Sequence, residues 1–108
     1  MMSSIMINVS KEFARMPCVR SRKDGPQSGE EFRDDILIPA LRDNERVTVD
    51  LNGVIALGSS FLDEAFGGLV REGVYTAQDL HRKLTINFSL QSYVNEAWGY
   101  IDSARRRA

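Results

Sequence analysis

The stretch Val47-Thr48-Val49-Asp50-Leu51-Asn52-Gly53-Val54-Ile55-Ala56-Leu57-Gly58-Ser59-Ser60-Phe61-Leu62-Asp63-Glu64-Ala65-Phe66-Gly67 decides the fold class. Its first five residues alternate apolar and polar, the two-residue period of a strand with one buried face. Asn52-Gly53 is a turn signal, and Val54 to Leu57 form an apolar lead-in. From about Ser60 to Glu72, Phe61, Leu62, Ala65, Phe66, Leu69 and Val70 fall on one helical face, and Gly73 supplies a stop. A strand delivered into an amphipathic helix is the unit from which α/β domains are built. Gly67-Gly68 inside that helix costs about 1 kcal/mol per residue relative to alanine, which predicts close packing against a neighbouring backbone.

Upstream, Ile5, Ile7 and Val9 alternate as a first strand, with Lys11-Glu12-Phe13 as its exit. Pro17, Gly25, Pro26 and Gly29 mark a loop, within which Cys18 to Arg22 could form a short edge strand. Ser28 then opens a helix carrying Phe32, Ile36, Leu37, Ala40 and Leu41 on one face, which Pro39 should kink or end early. Downstream, Thr76 to Lys83 reads as a short helix and Leu84 to Phe88 as a strand. Leu90, Val94, Ala97, Trp98 and Ile101 form the apolar stripe of a last helix. The expected architecture is a single α/β domain over 1–108 with a core at about 5–102 and a frayed basic tail at 103–108. Its sheet is mixed and partly parallel, of about four strands packed by three to four helices.

Composition narrows the function. The 108 residues suit one domain, and 43% apolar content with a net charge of -1 favours neither disorder nor a nucleic-acid binder. Cys18 is the single cysteine. That rules out an internal disulfide, leaves no metal-ligating cluster in view, and suits a reducing cytoplasm. No leader or membrane span is expected.

Two stretches together, Asp24-Gly25-Pro26 with Ser28-Gly29-Glu30-Glu31-Phe32-Arg33, and Val47 to Leu51 with Gly53-Val54 and Gly58 to Gly67, resemble the bacterial STAS-like domain of unknown function. That family is a distant relative of the anti-sigma factor antagonists. The resemblance implies a STAS-like fold and a non-enzymatic regulatory role without cofactor. The implied partner is a protein, a histidine-kinase-like ATPase of the anti-sigma type. In the antagonists the corresponding strand ends in an acidic residue, two hydroxyl residues, a glycine and a leucine, and the second hydroxyl is phosphorylated. Here Gly58 replaces the acid, Ser59 and Ser60 match the pair, Phe61 replaces the glycine, and Leu62 matches. The resemblance therefore makes Ser60 and Ser59 the phosphoacceptor candidates, with Gly58, Phe61, Asp63 and Glu64 on the partner-binding surface.

Physical chemistry adds a plainer role for the same residues. Ser60 and Asp63 have capping-box spacing, as do Ser28 with Glu31 and Thr76 with Asp79. A second function class rests on the charge pattern. Lys11, Arg15, Arg20, Arg22 and Lys23 face only Glu12 within residues 11–23, whereas seven acids face Arg33 and Arg42 within 24–45. A basic loop at the start of a helix could hold a phosphate or nucleotide at Arg20, Arg22, Lys23 and Ser28. A serine hydrolase is the least favoured class, because Leu62 stands where a nucleophile elbow needs its second glycine and His81 has no signal linking it to Ser60. Arg105 to Arg107 suit a helix C-terminus better than nucleic acid. Homo-oligomerisation is left open.

Overall fold

A computed structural model describes residues 3–107. Three strands, β1 (Ser4–Asn8), β2 (Arg46–Asp50) and β3 (Leu84–Asn87), form a sheet in the order β1-β2-β3. All are parallel, with Ile5 opposite Val47, Val47 opposite Leu84 and Val49 opposite Ile86. Five helices accompany them among the described residues, more than the three to four expected because the exit of β1 winds into a turn of helix, and a 3-10 turn stands at Arg22–Asp24. α1 is a single turn, Val9–Glu12, capped by the Asn8 side chain. α2 covers residues 29–43 and α3 residues 59–71, followed by α4 (Ala77–Lys83) and α5 (Gln91–Ser103).

The alternation of β1, β2 and β3 sends Ile7, Val47, Val49, Leu84 and Ile86 into one core with Phe32, Leu37, Leu41, Phe61, Leu62, Phe66 and Leu69 of α2 and α3. The opposite face carries Met6, Thr48 and Thr85 in one row and Asn8, Asp50 and Asn87 in the next, and its residues are exposed or half-buried. Asp50 organises the second row by accepting from Asn8 Nδ2 at 3.1 Å and from Asn52 Nδ2 at 2.9 Å.

The expected sheet of about four mixed strands is corrected to three parallel ones among the described residues. Cys18 to Arg22 forms no edge strand because its backbone is spent elsewhere: Val19 and Arg20 carbonyls accept the Gly29 and Glu30 N–H groups at 2.8 and 3.0 Å. The loop thus caps α2. Nor does Pro39 end that helix. A π-helical turn, Arg33–Leu37, widens it just ahead of the proline, with the Ile38 N–H reaching back to the Arg33 carbonyl, and the helix runs on to Asp43. α3 contains the matching turn, Asp63–Gly67.

Its two glycines do meet close neighbours, but side chains rather than backbone. A Cβ on Gly68 would overlap the Arg33 guanidinium, and one on Gly67 would lie 3.3 Å from Tyr100 Cβ. No helix among the described residues is long and apolar enough to cross a membrane.

Candidate functional site

The strand-to-helix junction lies beyond the carboxyl end of β2, where loop 51–58 delivers the chain into α3. Gly58 is the N-cap residue and has no side chain to offer. The Leu62 N–H bonds to the Gly58 carbonyl at 3.1 Å. The N–H groups of Ser59, Ser60 and Phe61 have no hydrogen-bond partner among the described residues, and both serines are exposed. The expected Ser60–Asp63 capping box does not form, since the helix begins at Ser59 and so places Ser60 inside its first turn. Ser28 does cap α2, accepting from the Glu31 N–H at 3.0 Å, and Thr76 and Asp79 close a full box on α4.

Of the expected partner-binding residues, the structure turns several inward. Phe61 is buried in an aromatic cluster, with ring centroids 5.8 Å from Phe32 and 6.1 Å from Phe13. Gly58 packs against the loop, where a Cβ would lie 2.9 Å from Cys18 Cα. Asp63 accepts from Arg71 Nη1 at 2.8 Å and Arg20 Nη1 at 3.0 Å. Glu64 accepts from the buried Arg33 at 2.6 Å, and its carbonyl accepts from the same nitrogen at 3.1 Å. These residues join α2, α3 and the basic loop in one charged network seated at the two π turns. Partial burial pushes the Asp63 carboxyl up, but hydrogen bonds from Arg71 and Arg20 outweigh it and hold the group below its ordinary value. Burial likewise opposes the charge on Arg33, and Asp34 and Glu64 overcome it.

A family model for a STAS-like domain of unknown function matches residues 28–88. The chain belongs to this family. The match takes in α2, β2, α3, α4 and β3 and includes the whole Gly58 to Phe61 junction of the STAS-like domain. No curated protein and no solved structure matches significantly.

Elsewhere in this STAS-like domain the alternative anion site comes apart. Arg20 is committed to Asp63 and Glu64, and Arg22 to Asp35 at 2.8 Å. Ser28 is buried as a cap, and the first-turn N–H groups of α2 are consumed by Val19, Arg20 and Ser28. Lys23 alone of the four keeps an exposed side chain without an ion pair among the described residues. The charge pattern reads as a basic loop because the acids that neutralise it are distant in sequence.

His81 contacts α5 instead of Ser60, with Nε2 2.7 Å from Asp102 Oδ1 and its ring stacked 4.3 Å from Trp98. The tail expected to fray is docked through Arg107. The Arg107 N–H donates to the Arg71 carbonyl at 2.9 Å, and Arg106 covers Gly73. Ala108 lies outside the described residues, as do Met1 and Met2.

Leu90, expected on the apolar stripe of the last helix, instead stands just outside it as the exposed N-cap residue of α5, and two further apolar side chains are exposed in the loops. Met16, Ile55 and Leu90 are 63%, 69% and 54% exposed. Ile55 and Leu90 share a small cavity with Val54, Leu57, Phe88 and Tyr93. Met16 is drawn alongside by bonds from Ile55 N–H to the Arg15 carbonyl and from Gly58 N–H to the Pro17 carbonyl. The apolar run 54–57 was the available signal, since no helix or strand period assigns its side chains to the core.

Proposed function

We propose that this STAS-like domain is a non-enzymatic regulatory module that binds a protein partner around Ser59 and Ser60. The partner is a histidine-kinase-like ATPase of the anti-sigma type, and phosphorylation of Ser60 or Ser59 is the switch. The observation that carries this reading is the pair of exposed hydroxyls on a helix start without a side-chain cap, delivered by a loop whose exposed Ile55 lines a small apolar cavity with Leu90. Exposed apolar surface of the kind Ile55 and Leu90 present is a mark of protein contact sites. A phosphate here adds roughly -1.5 to -2 charge, meets unoccupied backbone N–H groups, and repels an acidic partner surface. Because neither hydroxyl caps the helix, the modification removes no cap; the Ser59 hydroxyl lies against the Tyr100 side chain, whereas Ser60 has no side-chain partner among the described residues. The absence of an elbow glycine at Leu62 and the engagement of His81 by Asp102 and Trp98 count against the serine-hydrolase alternative.

Affinity capture from the native host, followed by mass spectrometry of the partners and of Ser59 and Ser60, tests the reading. The captured ATPase is then titrated with Ser60→Glu, Ser60→Ala and Ile55→Ser. Ser60→Glu should abolish binding with an unchanged circular dichroism spectrum, Ser60→Ala should bind, and Ile55→Ser should weaken the complex. Equal affinity for Ser60→Glu and wild type removes the switch; equal affinity for Ile55→Ser removes the apolar surface.

A further inference from the structure

Three arginines hold the Asp63 and Glu64 carboxylates, and they do not hold them equally. Arg71 donates from Nη1 to Asp63 Oδ1 at 2.8 Å and from Nη2 to the Asp63 carbonyl at 3.0 Å. Arg33 donates from Nη1 to Glu64 Oε2 at 2.6 Å and to the Glu64 carbonyl at 3.1 Å. Arg20 reaches side-chain oxygens only, Asp63 Oδ2 at 3.0 Å and Glu64 Oε1 at 3.4 Å, both through Nη1. Its side chain is 39% exposed, against 6% for Arg33 and 21% for Arg71. With Arg20 gone, Asp63 would keep Arg71 and Glu64 would keep Arg33, and the two oxygens given up would open to water. No carboxylate is orphaned, so Arg20 is the member of the network most readily exchanged.

Ser60 stands where an exchange partner would be met. It lies three residues before Asp63 and four before Glu64 on α3, and side chains at those spacings are neighbours, with Cβ atoms about 5–6 Å apart. Arg20 bridges the two acids and so lies one turn along the same exposed face. Ser60 is exposed and its hydroxyl has no side-chain partner among the described residues. Ser59 differs. Its hydroxyl lies against Tyr100, whose own hydroxyl donates to Glu96 at 2.7 Å, so an anion there would meet a carboxylate. The backbone that carries Arg20 is fixed independently of its side chain, because the Pro17, Val19 and Arg20 carbonyls accept the Gly58, Gly29 and Glu30 N–H groups. The guanidinium can swing while the loop stays.

We propose that Arg20 is the internal reader of a phosphate on Ser60, leaving Asp63 and Glu64 to pair with the phosphoserine one turn earlier on α3. The inference rests on the serine switch proposed above. In that step the Ser60 Oγ–phosphorus bond forms as the bond from the γ-phosphorus of ATP to its bridging oxygen breaks, ADP leaves, and the hydroxyl proton passes to solvent. A phosphate of roughly -1.5 to -2 charge competes well against carboxylates that each hold another arginine, and it offers the guanidinium fork two oxygens at once. Transfer uncovers Asp63 and Glu64 and sets an arginine–phosphate pair at the helix start. The partner then meets a rearranged charge surface as well as an added charge.

Phosphoserine installed at position 60 during translation, followed by phosphorus magnetic resonance across pH, tests this without a kinase. The second ionisation of the phosphate, ordinarily near pH ~6, should lie about one pH unit lower with Arg20 present than with Arg20→Gln. The side-chain nitrogen resonances of Arg20 itself should move on phosphorylation, a measurement that stands even where Arg20→Gln does not fold. A double-mutant cycle of Arg20→Gln and Asp63→Asn in urea should show coupling in the unmodified chain and its loss in the phosphorylated one. Equal phosphate titrations with and without Arg20 overturn the proposal, as do Arg20 resonances that stay in place or a coupling to Asp63 that phosphorylation leaves unchanged. Those results leave the serine switch standing, whereas protein captured from the host without phosphoserine removes the switch and its reader together.

Discussion

Gly68 and Gly99 are both helical glycines, yet they should respond oppositely to the same change. A Cβ on Gly68 would strike the Arg33 guanidinium, which is held by Asp34 and Glu64, whereas a Cβ on Gly99 meets nothing within 4 Å. Gly99→Ala should stabilise the domain by about 0.5–1 kcal/mol, because only the entropic cost of glycine is removed. Gly68→Ala should destabilise it by roughly 1–3 kcal/mol, the usual cost of overpacking. Urea denaturation of the two variants checks both signs, and equal shifts would show that Arg33 gives way freely.

Asp63 supplies the pH counterpart. Its folded carboxyl lies below the ordinary value, so its contribution is fully present above the unfolded pKa and is lost as pH falls through the folded one. The stability gap between wild type and Asp63→Asn should hold steady from about pH 7 to about pH 5 and narrow below about pH 4. A gap that survives into strong acid would show that the carboxylate charge does not hold Arg71 and Arg20.

Among the helices, capping separates residues that look alike in one dimension. Ser28, Ser60 and Thr76 each precede an acid by three positions, and from spacing alone all three are caps. The structure makes Ser28 and Thr76 caps and leaves Ser60 exposed in the first turn. Ser28→Ala and Thr76→Ala should each cost about 1 kcal/mol, and Ser60→Ala should stay within ±0.5 kcal/mol of wild type. Matched thermal melts of the three variants would show it, and a Ser60→Ala loss equal to that of Thr76→Ala would restore a capping role.

Helices and strands were legible because their periods of 3.6 and 2 are local, as Phe32 to Leu41 and Val47 to Leu51 illustrate. Helix starts were less so, since Gly58 terminates the preceding segment through its fit against Cys18, a contact made across forty residues of chain. The π turns were not legible at all. They lie where Arg33 and Glu64 meet, and neither residue departs from an ordinary polar helix face when read alone.

At the scale of the whole molecule, the same division between local and distant determinants explains which site residues are exposed and which are engaged within the fold. Exposure of Ser59 and Ser60 follows from a helical face that can be drawn from Phe61, Leu62, Ala65 and Phe66. The engagement of Asp63 and Glu64 depends on arginines from three separate segments. The C-terminal arginines are the last case. Read as a sequence, Arg105 to Arg107 form a loose basic tail, but in the fold they reach the carboxyl end of α3. There the Arg107 N–H satisfies the Arg71 carbonyl, Arg106 covers Gly73, and the Arg107 guanidinium lies 3.9 Å from Glu72. A helix C-terminus presents unsatisfied carbonyls and a partial negative charge, so cations docked there contribute about 0.3–1 kcal/mol each at low salt. Truncation after Ser103 should therefore lower stability by roughly 1–2 kcal/mol in dilute buffer. Most of the electrostatic part should disappear in about 1 M salt, where the Debye length falls to about 3 Å. Urea midpoints of the full and truncated chains at both ionic strengths decide the matter. A salt-independent loss would assign the effect to packing against Gly73, and no loss would mean that the tail is not held against α3 in solution.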